Sequence, residues 1–99
     1  MSSRYPYVSL ARVLAHEPEA AARGVSHVAR SPRGFVAAYR EVGRAALLSE
    51  HWRRKRDAFV ARHLAQALAH GERWRDGDGR LSRRALALLM WAYDPEARR

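Results

Sequence analysis

The segment Asp76-Gly77-Asp78-Gly79-Arg80-Leu81-Ser82 spaces two carboxylates and a glycine as the middle of a calcium loop does. With Gly79 at the glycine position, Asp76 and Asp78 take ligand places and Leu81 the apolar one. The loop's first and last ligand positions then fall on Trp74 and Ala85. Those two places must supply a carboxylate and a bidentate glutamate, so the ion is left without most of its charge. A tight turn leading into a helix capped by Ser82 accounts for the segment better.

The histidines fare no better as metal ligands. His16-Glu17 opens an H-E-x-x-H string, but Ala20 stands where the second histidine is needed. His63 and His70 lie two turns apart on one helix face, beyond joint reach of one ion without a loop ligand. His27 and His51 have no ligand spacing to any other. His63 adjoins Phe59 on an apolar stripe, which suits a hydrogen-bonded histidine at the core boundary. No G-x-S-x-G elbow, Walker loop or dinucleotide fingerprint occurs. Cysteine is absent, which removes disulfide and thiolate chemistry. The expectation is a protein that is not an enzyme, with no metal, no cofactor and no evident small-molecule substrate.

What remains is charge. Nineteen Lys and Arg residues against 10 Asp and Glu give a formal net charge of +9. Such an excess attracts nucleic acid, acidic proteins or anionic membrane surfaces. Lys55 is the sole lysine, and alanine is as abundant as the basic residues. That pairing follows GC-rich coding, so the preference for Arg says little about phosphate, whereas the excess itself is informative. His51-Trp52-Arg53-Arg54-Lys55-Arg56 sets four cations at a helix start, where they oppose the dipole. Arg30 and Arg33 flank Ser31-Pro32, a second helix start. Arg73, Arg75, Arg80, Arg83 and Arg84 surround a third. Helix starts and guanidinium groups both suit phosphate.

The elements that must carry these residues are helices. Ser9 to about His16 reads as a short amphipathic segment. Pro18 suits the first turn of a second, Glu19 to Arg23, closed by Gly24. Residues 25–30 are open between a helical turn and a loop. Ser31 and Pro32 begin a helix whose Phe35, Tyr39 and Val42 form one apolar stripe ended by Gly43. After a loop over 44–48, Ser49 caps the longest helix, about 50–69, basic and amphipathic, closed by Gly71. Ser82 caps a last helix, about 82–93, that is apolar nearly all round and stopped by Asp94-Pro95. Such a helix is either the centre of a small bundle or covered by a partner. Leu88 and Trp91 point away from its Leu86, Met90 and Tyr93 face, which makes them the interface candidates.

Residues 18–42 invite comparison with a helix-turn-helix around Gly24. The positions that must be apolar there are Glu19, Arg23, Val25, Arg30 and Arg33. Only Val25 qualifies, and Pro32 interrupts the second helix, so the pattern fails.

The expected fold class is therefore all-α: a single domain over 1–99, a bundle of four to five helices. Residues 1–8 form an N-terminal arm and 94–99 a short basic tail. No apolar run is long enough to span a membrane, and the polar, aromatic N-terminus is unlike a signal peptide. A cytoplasmic protein, nucleoid-associated if it binds DNA, is expected. The leading functional expectation is sequence-independent grip of a nucleic-acid backbone, DNA ahead of RNA. Its contacts are Arg30, Arg33, Arg53, Arg54, Lys55, Arg56, Arg83 and Arg84. The alternative is a helical interaction module, a homo-oligomer or a subunit of a larger assembly, using Leu88 and Trp91. A membrane-surface role for the basic helix ranks third.

Overall fold

The computed structural model describes residues 4–97, and these are helical with no strand among them. Helix α1 spans Leu10–Ala22, α2 Phe35–Val42, α3 Glu50–His70 and α4 Arg83–Leu89, with a single 3₁₀ turn at Ala45–Leu47 before α3. Three starts follow the serine logic. The Ser9, Ser49 and Ser82 hydroxyls accept from the backbone N–H groups of Arg12, Trp52 and Ala85 at 3.2, 3.2 and 3.1 Å. Each satisfies one of the donors a helix start leaves over.

Two boundaries depart from expectation. The pair of short segments over 9–23 is one helix, α1, with Pro18 inside it. An interior proline forfeits a hydrogen bond and costs about 3 kcal/mol. Val13 and Ala20, two turns apart on one face and on either side of Pro18, are both fully buried, and their burial offsets that cost. At α2 the Ser31 hydroxyl does not cap: it donates to the Val28 carbonyl at 2.8 Å. The chain makes another turn, and the helix begins at Phe35 with Gly34 as N-cap. Gly34 is needed there because a Cβ would stand 2.3 Å from the Val28 carbonyl oxygen. Residues 25–30 form turns rather than a helix.

α4 is also shorter than the apolar run that carries it. It stops at Leu89, and the chain turns through Ala92, whose φ of 59° is left-handed. The Tyr93 N–H donates back to the Leu88 carbonyl across this turn. α4 packs against both α1 and α3. Its Ala85, Leu86 and Leu89, with Met90 and Trp91 beyond it, join Phe35, Val36 and Tyr39 of α2 and Val13 and Ala20 of α1 in the main core. Leu88 joins Val60 and Tyr93 in a smaller cluster. Leu88 and Trp91 are thus buried inside one chain, which corrects their assignment as an interface.

Residues 4–8 are less an arm than a strap. The Val8 N–H donates to the Ala92 carbonyl at 2.9 Å, and the Tyr39 hydroxyl to the Val8 carbonyl at 2.7 Å. Residues 1–3, and Arg98 and Arg99 of the expected basic tail, lie outside the described residues. Within the described part of that tail, Asp94 is buried beside Arg12, and Glu96 binds Arg75.

Candidate functional site

Four consecutive helical residues cannot share a face, because each is turned roughly 100° from the last. α3 accordingly disperses the Arg53-Arg54-Lys55-Arg56 run. Arg53 and Lys55 are exposed on nearly opposite flanks, and Arg54 pairs with Glu50 one turn back at 2.6 Å. Arg56 turns inward and is completely buried.

That burial is chemically complete. The Arg56 guanidinium makes five donations: to the carbonyls of Trp91, Ala92, Tyr5 and Pro6 and to the Asp57 carboxylate. This uses every N–H the group owns. Its carbon lies 3.8 Å from the Tyr7 ring centroid, with the Tyr93 ring on the same group at 5.8 Å. Burial raises the pKa of Tyr7, against a lowering by the Arg56 charge. Arg56 therefore ties the 5–8 strap to the turn after α4, and it is withdrawn from the phosphate contacts.

Arg84 is also occupied. Its Nε and Nη2 donate to the two Glu72 oxygens at 3.0 and 2.7 Å, and its Nη1 reaches Gln66 Oε1 and His63 Nδ1, each at 2.8 Å. The hydrogen bond from Arg84 lowers the Glu72 pKa. Arg83 is exposed and donates to the carbonyls of Arg23 and Gly24, so its charge sits at the C-terminus of α1, where the dipole favours it. Arg30 is half-buried with its Nε on the Val25 carbonyl at 2.7 Å. Arg33 is exposed, with no ion-pair partner among the described residues.

Four of the expected residues, Arg33, Lys55, Arg83 and Arg84, line hollows beside the segment 25–34. A cleft of about 450 Å³ opens between residues 26–29 and α3, lined by Val28, Ala29, Phe59, Ala87 and Trp91, with Lys55, Arg62 and His63 from α3. A second hollow of about 300 Å³ continues past His63 and Ala87 to Arg83 and Arg84. A third, on the other side of Trp52, is edged by Arg33. The Lys55 ammonium lies over the Trp52 ring at 5.4 Å and so stands between the first cleft and the third. Lys55 thus lines the cleft, Arg83 and Arg84 the hollow that shares Ser26, His63 and Ala87 with it, and Arg33 a separate hollow beside Glu41, whereas Arg53 and Arg54 line none of the three. Arg62 belongs with Lys55 and was passed over because it lies outside the basic run. Its place seven residues after Lys55, two turns along one face, is the signal that finds it.

The cleft floor is aromatic. Phe35, Trp91, Phe59 and His63 are successive stacked rings, with centroids 5.0, 4.7 and 3.9 Å apart. His63 is the last ring of the series and lines the cleft. Burial, then the charges of Arg84 and Arg62, lower its pKa, so the ring is neutral at pH 7. An arginine can only donate, so Nδ1 of His63 accepts from Arg84 and the remaining proton is on Nε2. Ser26 edges the same cleft with a left-handed φ of 56° and a buried hydroxyl that has no hydrogen-bond partner among the described residues. This tautomer leaves His63 with no free lone pair to take a serine proton. No group of three or more His, Asp or Glu among the described residues is placed to hold a metal ion.

No protein-family model, curated protein or solved structure matches this chain.

Proposed function

We propose that the protein binds nucleic acid through its phosphates, along the face edged by Arg33, Lys55, Arg62 and Arg83. The observation that carries this reading is the unequal neutralisation of charge. Nine of the ten carboxylates, all but Glu41, are within ion-pairing distance of an arginine or histidine. Arg33, Lys55 and Arg62 have no carboxylate partner among the described residues, and Arg83 faces only carbonyls. Arg4, Arg30, Arg44, Arg53 and Arg73 also lack a carboxylate among the described residues, but Lys55 and Arg62 line one cleft, and cations placed together attract a polyanion and steer its approach. None of the four reads a base edge by any arrangement evident here, which favours grip without sequence preference and leaves DNA and RNA backbones both suitable.

The test is binding to a duplex across a salt series. About four phosphate contacts give a slope of log K against log salt near −3.6. Lys55→Glu and Arg62→Glu weaken binding to all sequences alike, while Arg54→Glu, outside the cleft and already paired with Glu50, has much less effect. Affinity independent of salt, or Lys55→Glu and Arg62→Glu binding as tightly as the native protein, overturns the reading. The interaction-module alternative loses its motivation, since Leu88 and Trp91 are both internal.

A further inference from the structure

We infer that the cleft between residues 26–29 and α3 takes one unpaired nucleobase, so that the protein prefers single strands to duplex. The inference rests on the phosphate-binding reading and adds a subsite to it. Phosphate contacts alone need a charged surface and no cavity. Here the cations Lys55 and Arg62 stand on either side of an apolar recess of about 450 Å³, within the range of sites that enclose a small flat molecule. The recess is walled by Val28, Ala29 and Ala87 and floored by Phe59, Trp91 and His63.

Three features fit a base in particular. Lys55 and Arg62 are two helical turns apart, roughly 10 Å along the axis, and bracket Phe59 between them. A strand lying along α3 therefore meets a cation, an aromatic recess and a second cation in order. That alternation is the pattern by which proteins hold single strands, backbone on charge and base on ring. Next, His63 is the open member of a ring series and is uncharged at pH 7, so it offers a flat neutral surface. Last, Val28 stands 72% exposed at the rim, an apolar side chain that nothing among the described residues covers and that a base would cover. In a duplex the bases are already stacked and cannot enter, so the recess stays unused.

The experiment compares three fluorescein-labelled ligands by anisotropy over a salt series: an oligothymidine, the same backbone carrying abasic sites, and a duplex of equal length. The native protein is expected to bind the base-bearing strand on the order of tenfold more tightly than the abasic one. Ala87→Phe, which fills the recess without changing charge, is expected to abolish that difference and leave the salt slope unaltered. Equal affinity for abasic and base-bearing strands overturns the inference, and with salt dependence intact it leaves the phosphate reading standing. Loss of salt-dependent binding to all three overturns both. A base preference that survives Ala87→Phe in a folded protein places the base elsewhere and also overturns the inference. The abasic comparison uses the unaltered chain and decides the matter even if the variant fails to fold.

Discussion

Two sides of α3, about a third of a turn apart in sequence, treat positive charge in opposite ways. On one side Arg56 is sealed from water and spends all its donors on the molecule itself. On the other, Lys55 and Arg62 stand at the rim of an open cleft and have no carboxylate partner among the described residues. Residues adjacent in the chain and alike in charge thus have unrelated roles. Burial with full hydrogen bonding turns a cation into a structural part, and exposure beside an aromatic recess leaves its donors unspent on the molecule itself. The lesson concerns clusters in general. A run of basic residues on a helix describes a ring of directions, not a patch.

Arg56→Leu takes a donor from the carbonyls of Tyr5, Pro6, Trp91 and Ala92, of which Ala92 keeps the Val8 N–H, and is expected to cost about 3 to 5 kcal/mol in urea unfolding. Arg56→Lys recovers only part, because an ammonium has three donors where five were used. Lys55→Ala and Arg62→Ala should change stability by no more than about 0.5 kcal/mol, yet each should reduce the salt slope of binding by about 1. If Arg56→Lys is stable and binding-defective, the division between the two sides is wrong.

Smaller effects sharpen the cleft side. Ser26 combines a left-handed backbone with a buried, unpartnered hydroxyl. Ser26→Gly relieves both and is expected to raise stability by about 1 kcal/mol, read as a higher denaturation midpoint. His63 supplies a pH effect of definite sign. Its pKa is below the ordinary 6.5, so the folded state binds its proton less readily than the unfolded chain. Its stability contribution is complete above pH 6.5 and is lost as pH falls through the lower folded value. Glu72, also lowered, from 4.5, loses its contribution only below the carboxylate range. Urea midpoints between pH 7.5 and 5.5 should therefore decline in the native protein and much less in His63→Asn.

Much of the fold was legible because it is written locally. Ser9, Ser49 and Ser82 each sit just before an apolar-periodic run, and Gly43 and Gly71 sit just after one, both left-handed as a helix terminator requires. What escaped was set by distant partners. Pro18 looks like a boundary, but the packing of Val13 and Ala20 against α4 and α2 overrides it. Ser31-Pro32 looks like a helix start, but the close approach of Gly34 to the Val28 carbonyl moves the start to Phe35. The apolar run after Ser82 reads as one helix to Tyr93, yet the carbonyls of Trp91 and Ala92 are turned out of helical register toward Arg56. The site divided the same way. Charge excess was visible, whereas the inward turn of Arg56, the tethering of Arg84 and the membership of Arg62 depend on which side of α3 meets the core.

The Arg56 cage has a kinetic meaning as well. Its acceptors come from 50 residues before it and 35 after, so it closes across nearly the whole described chain. Helices of this length form within about a microsecond, but contacts so far apart must wait for the chain to bring three segments together. The cage is then a late event, and a late event governs how slowly the native state comes apart more than how fast it is reached. In that sense the buried cation is a clasp that sets the lifetime of the fold.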